Sequence, residues 1–226
     1  MDSRFTENMS YYNTQNQPWP GQQQMAAYPP QPQSHPTPQF PRTLDVTFTS
    51  WTGRHLRICE GTEDGPLVYA ADLKNRKPHM LFQATGTARL PATVVFHNFS
   101  RTIDITINGD EMPMRTASVR KNQYAFDCPA LGGRNLVWKR MKGWKALDLE
   151  CVDETGTVYA VFRSNESWSM KKAGKLEILQ PCAAGGPRVC DEIVVTGMAT
   201  LQLHLMQLAA AGAASGSAGA SAAVSV

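Results

Sequence analysis

The residues best suited to binding chemistry lie in one short stretch, RNLVWKRMKGWK, at positions 134–145. Five basic residues surround Trp138 and Trp144 there, across one predicted hairpin. Lys and Arg gain roughly 1 kcal/mol each near an anionic leaflet, and Trp favours the headgroup level of a bilayer. The candidate lipid-binding residues are therefore Arg134, Lys139, Arg140, Lys142, Trp144 and Lys145. The alternative is a solvated hairpin tip, with Trp138 turned inward as core.

Nothing else in the sequence forms a catalytic or metal-binding pattern. HExxH, GxSxG and a phosphate-binding glycine loop before a helix are all absent, and the five histidines have no metal-ligand spacing. Asp148 and Glu150 alternate with apolar residues, which an outward strand face explains without a calcium ion. We therefore expect no enzymatic activity, no catalytic residues, no metal and no cofactor.

The cysteines indicate a reducing compartment. They are odd in number, scattered and without a CxxC pair: Cys59, Cys128, Cys151, Cys182 and Cys190. No basic-then-apolar segment at the start suggests secretion, so we expect free thiols in a cytoplasmic protein. A disulfide between Cys182 and Cys190, which bracket a Gly-Gly-Pro loop, is the less favoured alternative.

The charge balance is mild. The chain carries +3 overall, and after the first 41 residues 21 Lys and Arg oppose 17 Asp and Glu. A nucleic-acid-binding domain usually has clustered bases and a pI above about 9, so we expect no nucleic-acid partner. A small positive charge is compatible with an anionic membrane surface.

Short runs of Val, Ile, Thr and aromatic residues fill the middle of the chain and end at Gly, Pro or Asn. In Thr102–Ile107 the isoleucines share one face and the polar residues the other, as in a half-buried antiparallel strand. Hairpin-type turns such as Asn108-Gly109-Asp110 separate the runs. The predicted strands are Leu44–Thr49, His55–Glu60, Leu67–Ala71, His79–Ala84, Thr93–His97, Thr102–Ile107, Met112–Val119, Gln123–Asp127, Asn135–Met141, Lys145–Cys151, Thr157–Arg163 and Lys175–Gln180.

The segment Asp191–Leu208 reads as an apolar helix with a thin polar stripe. Thr196, Thr200, His204 and Gln207 follow helical spacing, and these polar residues argue against a lipid span. Protein must then enclose the helix. A sandwich has no place for it, so the sequence predicts a mainly β fold, a closed antiparallel barrel of about twelve strands around a buried C-terminal helix.

Three details of this helix remain predictions from the sequence. Asp191 and Glu192 suit its N-terminus, where acidic groups complement the helix dipole. His204 is expected to be a neutral core histidine with hydrogen-bond partners, while a buried ligand or switch is the alternative. The alternation from Leu201 to Leu205 also fits a strand, so a strand remains the alternative to a helix for this segment.

The two ends of the chain have compositions unlike the middle. Residues 1–41 are rich in Gln, Pro, Asn and Tyr, which cannot bury enough apolar surface to order the chain, so we expect a disordered tail. Residues 42–209 form the predicted barrel domain. Residues 210–226 are Ala, Gly and Ser without charge, and we expect a second disordered tail there.

Three stretches resemble the tubby C-terminal-like superfamily, which includes the LURP-one-related proteins and the phospholipid scramblases. Gly133–Lys139 is similar to the G-x-x-Y-x-W-K strand of small, largely uncharacterised fungal members, with Leu136 where an aromatic residue is usual. Val158–Phe162 resembles their vAxf strand, and Asp191–Thr196 the start of their buried helix. The resemblance covers residues 43–209 and its motifs are structural.

This resemblance implies a twelve-stranded barrel threaded by a hydrophobic C-terminal helix. Because tubby proteins bind phosphoinositides through basic surface residues, it also implies a non-enzymatic protein that attaches to anionic phospholipid at a membrane surface. One alternative is a protein-interaction scaffold that recruits partners through the Pro/Gln-rich tail. The other is a scramblase-like lipid-handling protein. We expect a monomer.

Overall fold

The computed structural model describes residues 39–49, 54–84, 91–97, 102–120, 122–142, 145–165 and 172–218, all within one compact unit. Residues 1–38 and 219–226 lie outside these ranges, and with them most of the two tails, 1–41 and 210–226, that are expected to be disordered; residues 210–218 belong to the helix. Strands β1 to β7 are Arg42–Phe48, His55–Glu60, Leu67–Leu73, Met80–Ala84, Ala92–Phe96, Thr102–Ile107 and Asp110–Glu111. Strands β8 to β13 are Met114–Ser118, Gln123–Cys128, Arg134–Arg140, Leu149–Asp153, Val158–Ser164 and Lys172–Ile178, and the helix α1 is Gly186–Ala218.

The strands form a closed antiparallel barrel. Consecutive strands pair from β1 to β6 and from β8 to β13. β8 also pairs with β6 and β13 with β1, so that the sheet has no free edge apart from the two-residue β7. β7 and β8 both lie against β6 and act as one interrupted strand. Closure removes the exposed strand edges that an open sheet would present. The predicted twelve-stranded barrel is therefore confirmed.

Polar and apolar residues alternate along strands such as β5 and β6, and the apolar ones face the interior of the barrel. In β5, Ala92, Val94 and Phe96 are buried while the residues between them are half-exposed. In β6, Ile103, Ile105 and Ile107 are buried in the same way. These side chains join the helix in one continuous core, so the period-two pattern of the sequence decides which face of the wall points inward.

The helix α1 fills the barrel, as predicted. Residues 189–201 are buried without a break. The helical stretch Gln180–Gly212 is long and apolar enough to cross a membrane, judged by length and composition alone. However, 56% of its most apolar part is buried within the protein. The helix begins at Gly186 and continues to Ala218, which is longer at both ends than the predicted 191–208. The alternative of a strand in this segment is wrong.

Two buried contacts between the wall and α1 fix the position of the helix. The Tyr69 hydroxyl donates a 2.9 Å hydrogen bond to Asp191 Oδ1. Glu192 Oε2 accepts from the thiol of Cys128 in β9 at 2.9 Å, and it also accepts from the backbone N–H of Ala130, which follows β9. Because the helix starts at Gly186, these acidic residues lie past its first turn, so the expected role at the helix N-terminus is wrong. They are buried and hydrogen-bonded instead.

The largest shift of a strand boundary concerns β11, which starts at Leu149 instead of the predicted Lys145. Residues before it form a turn in which the Asp148 N–H donates to the Lys145 carbonyl at 3.0 Å. The Asp148 side chain is buried and accepts bonds from the backbone N–H and the hydroxyl of Ser164. The prediction of an outward-facing Asp148 is therefore wrong, because the turn directs its carboxylate to β12.

Candidate functional site

The antiparallel barrel has two ends with different roles. The helix enters near the start of β1 and the end of β9, where Cys128 and Ala130 contact Glu192. It leaves near the start of β9, where Gln207 Nε2 donates to the Tyr124 hydroxyl at 3.2 Å. We call these the entry end and the exit end. Loops at the exit end follow β1, β3, β5, β8, β10 and β12, because successive loops of an antiparallel meander alternate between ends.

The candidate lipid-binding residues do not form one patch. Arg134 and Arg140 begin and end β10 and are about 20 Å apart at the rise of an extended strand. Arg134 lies at the entry end, where its Nη1 is 3.0 Å from Asp153 Oδ2. Lys139 lies on the outer wall, with its Nζ 3.3 Å from Glu150 Oε1. Strand β10 therefore places these candidate lipid-binding residues at opposite ends and on the outer wall of the barrel.

The remaining candidates gather at the exit end. Arg140 closes β10, and Lys142 and Lys145 lie in the loop that follows, all three exposed. Trp144 falls outside the described residues. Trp138 is fully buried, and its indole N–H donates to Thr196 inside the barrel. Its inward position matches the alternative reading of the motif, in which Trp138 belongs to the core.

Further exposed cations lie at the same end. They come from loops that are distant in sequence and share one end only because the barrel closes. Together with the β10–β11 loop they form the exit-end cations: Arg54, Lys74, Arg76, Lys77, Arg120, Arg140, Lys142 and Lys145. In the described parts of the exit-end loops the acidic residue is Asp148, which is buried. This end is therefore strongly cationic.

The entry end has the opposite character. Exposed acidic side chains lie in its loops and in β7: Asp64, Asp110, Glu111 and Glu154. The arginines found beside them are paired, Arg134 with Asp153 and Arg188 with Asp110 and Glu192. The described barrel thus has a charge asymmetry along its axis. Such an asymmetry orients a protein against an oppositely charged surface.

Sequence reasoning missed most of the exit-end cations because it searched for a local cluster. A signal was nevertheless present. Alternate loops of an antiparallel meander lie at one end, so counting charge over every second predicted loop would have shown the excess of Lys and Arg. The Lys74–Lys77 loop carries three cations of this kind. The smaller patch expected at Lys171, Lys172 and Trp168 is described only at Lys172, which pairs with Glu63 at 2.8 Å.

The polar stripe of the helix, predicted from its spacing, contacts β9 and β10. Thr196 contacts Trp138, and Gln207 contacts Tyr124. Between them, His204 is 4% exposed and its ring lies 6.0 Å from that of Tyr124, centre to centre. Neither ring nitrogen has a hydrogen-bond partner among the described residues, so the expected core hydrogen bond is wrong.

Burial controls the protonation of this histidine. It lowers the pKa of His204 by disfavouring the charged imidazolium, and the positive charge of Arg140 acts in the same direction. The nearby backbone of Asn122, which lies outside hydrogen-bonding geometry, partly offsets both effects on the pKa. The ring is therefore neutral near physiological pH.

The five cysteines are free, as predicted, and all five are buried. Burial raises the pKa of the Cys182 thiol to about 12 and raises those of Cys128 and Cys151 as well. These thiols are protonated at neutral pH and are poor nucleophiles. No group of His, Cys, Asp and Glu within the described part of the chain has the arrangement of a metal site.

The chain is a closed twelve-stranded antiparallel barrel with a single C-terminal helix inside, an architecture consistent with a tubby-like fold. Comparison of the sequence and the structure with protein-family models, curated proteins and solved structures finds no match.

Proposed function

We propose that the protein is a member of the tubby C-terminal-like superfamily that attaches reversibly to anionic phospholipid through the exit end of its barrel. The family assignment is supported by the closed twelve-stranded wall and the helix that threads it. Binding is supported by one observation above all. The exit-end cations stand at one end of the barrel axis, and the exposed acids of the loops stand at the other, while Asp72 and Asp104, on strands near the exit end, are paired with His55 and His97.

The physical basis is electrostatic. Each Lys or Arg near an anionic leaflet contributes roughly 1 kcal/mol, and several act together when they share one face. The acidic entry end is repelled by the same surface, so the barrel axis orients along the membrane normal. The attachment is non-enzymatic and suits the cytoplasmic leaflet, which carries the anionic lipids.

Vesicle co-sedimentation of the full chain tests this proposal. Vesicles of phosphatidylcholine alone are compared with vesicles that contain phosphatidylserine or a phosphoinositide at matched surface charge. We expect binding to both anionic compositions at about 0.1 M salt, and weaker binding as salt rises. Tighter binding to the phosphoinositide vesicles than to phosphatidylserine vesicles of the same surface charge would show recognition of that headgroup. Equal binding would show attraction to anionic lipid in general. If the protein binds neither of the two anionic compositions, the proposal is disproved.

A matched pair of variants assigns the binding to one end. Lys142→Gln/Lys145→Gln and Ala183→Glu/Ala184→Glu each lower the net charge by two, and all four residues are exposed. The lysines lie at the exit end, and the alanines lie in the turn Gln180–Gly185 at the entry end. We expect the lysine variant to lose about tenfold or more in vesicle affinity and the alanine variant to lose much less. Equal losses would contradict binding through the exit end.

A further inference from the structure

The described residues include three exposed large apolar side chains, and all three lie at the exit end. Val119 is 63% exposed, Met206 45% and Leu208 49%. Val119 belongs to the turn between β8 and β9, while Met206 and Leu208 belong to α1 where it leaves the barrel. The apolar surface is thus concentrated at the end that carries the exit-end cations. Exposed apolar groups that cluster in this way mark interaction surfaces more often than scattered ones do.

The helix does not stop at the mouth of the barrel. Every residue from Met206 to Gly212 is exposed, and seven residues make about two turns, so the helix is exposed on all sides there. We call Met206–Gly212 the exit segment. It carries no charge and measures about 10 Å along the axis. This matches the depth of about 5–10 Å to which amphipathic helices bury their apolar face at the headgroup boundary.

The turn that carries Val119 adjoins the exit segment. Gln207 donates to the hydroxyl of Tyr124, the second residue of β9, two residues beyond the end of that turn. The Asn122 N–H closes the turn by donating to the Val119 carbonyl at 3.3 Å. Arg120, in this turn, and Arg140, at the end of the neighbouring strand β10, are exposed cations. An apolar centre with cations around it therefore forms the mouth of the barrel.

We propose that the exit segment, together with Val119, inserts into the interfacial layer of an anionic bilayer while the exit-end cations contact its headgroups. This inference rests on the proposed function and adds to it the element that enters the lipid. Stable membrane attachment needs two signals, and an apolar insert beside a cationic face supplies both. Charge complementarity selects the bilayer, because like charges at the same end oppose a second copy of this chain. A nucleic acid would neutralise the exit-end cations but would leave the apolar side chain of Leu208 exposed to water.

A probe at the exit segment tests insertion directly. The five native cysteines are buried, so an introduced cysteine is labelled selectively with the environment-sensitive dye NBD. Leu208→Cys is compared with Ala183→Cys at the entry end, on vesicles with and without phosphatidylserine. We expect a blue shift and quenching by nitroxide-labelled lipid for position 208 on anionic vesicles, and neither for position 183. A probe at position 208 that stays in water on vesicles that bind the protein would disprove insertion.

Substitutions give an independent readout. Met206→Ser/Leu208→Ser removes the large apolar groups, and Ala209→Ser/Ala210→Ser is the control on the same exposed helix. We expect the first variant to bind anionic vesicles about tenfold or more weakly and to lose the binding that survives at about 0.5 M salt. The control should retain both. Equal behaviour of the two variants would overturn the proposal.

The outcomes separate this inference from the proposed function. Failure of the wild type to bind anionic vesicles removes both. Binding that is fully sensitive to salt and indifferent to Met206 and Leu208 keeps the proposed function and removes insertion. A blue shift at position 208 that depends on protein concentration without lipid would show end-to-end self-association instead. Binding to single-stranded RNA in preference to anionic vesicles would replace the bilayer with a nucleic acid.

Discussion

The indole N–H of Trp138 donates a 3.0 Å hydrogen bond to Thr196 Oγ1 and so joins strand β10 to the helix inside the barrel. Both residues are fully buried. The Thr196 hydroxyl in turn donates to the carbonyl of Glu192 at 2.7 Å, so it is fixed in direction. A helix that is apolar on nearly every side could rotate within a round wall, and this directional contact selects one rotation.

Replacement of Thr196 by Val leaves the Trp138 N–H buried without an acceptor. We expect Thr196→Val to lower the free energy of unfolding by about 1–3 kcal/mol, the usual cost of an unpaired buried donor. Thr200→Val is the control, since the Thr200 hydroxyl donates to the Thr196 carbonyl one turn earlier in the same helix. Urea unfolding followed by circular dichroism measures both, and equal losses would contradict the directional role of Thr196.

Gly197 allows the helix to approach the Trp138 ring. A Cβ at this position would lie 2.8 Å from the ring atom Cζ2, closer than real contacts allow. We expect Gly197→Ala to destabilise the protein by about 1–3 kcal/mol, because the buried ring and the helix must move apart. At Gly212 a Cβ would meet nothing within 4 Å. Gly212→Ala should therefore be neutral or stabilising by up to about 1 kcal/mol, and a loss of stability there would contradict this account.

Asp153 makes the stability of the fold depend on pH in the acidic range. The Thr155 hydroxyl, the Thr157 backbone and Arg134 lower its pKa from 3.8 to about 2, although burial opposes the shift. Because the pKa is lower in the folded state, the stabilisation is present above about pH 4 and is lost as pH falls towards about 2. We expect Asp153→Asn to lower the urea midpoint at neutral pH and to have little effect near pH 2. The exposed neighbour change Glu154→Gln controls for lost charge and should show a smaller effect.

His204 produces a different dependence on pH. Its pKa is lowered in the folded protein, so the unfolded chain binds the proton first as pH falls below about 6.5. Stability should therefore decrease between neutral pH and about pH 5. His204→Leu removes this loss, and it should not destabilise at neutral pH because neither buried ring nitrogen has a hydrogen-bond partner among the residues that the structure describes. Unfolding midpoints across this pH range give the slope, and an unchanged slope in His204→Leu would contradict the prediction.

The sequence by itself determined the fold class. Alternation such as that of Ile103, Ile105 and Ile107 decides which side of a strand is buried, and period two leaves one answer. The apolar stretch after Asp191 excluded a sandwich, because its surface had to be enclosed. These are local patterns with local causes, so they can be read before the structure is known.

The tertiary structure decided how the surface is organised. Arg134 and Arg140 belong to one motif but stand at opposite ends of β10, whereas Lys74 and Lys142 are distant in sequence and share the exit end. Likewise, Asp148 is buried by a turn that directs it to Ser164. Closure of the barrel sets these distances, and closure depends on pairings between strands far apart in the chain, which no local spacing encodes.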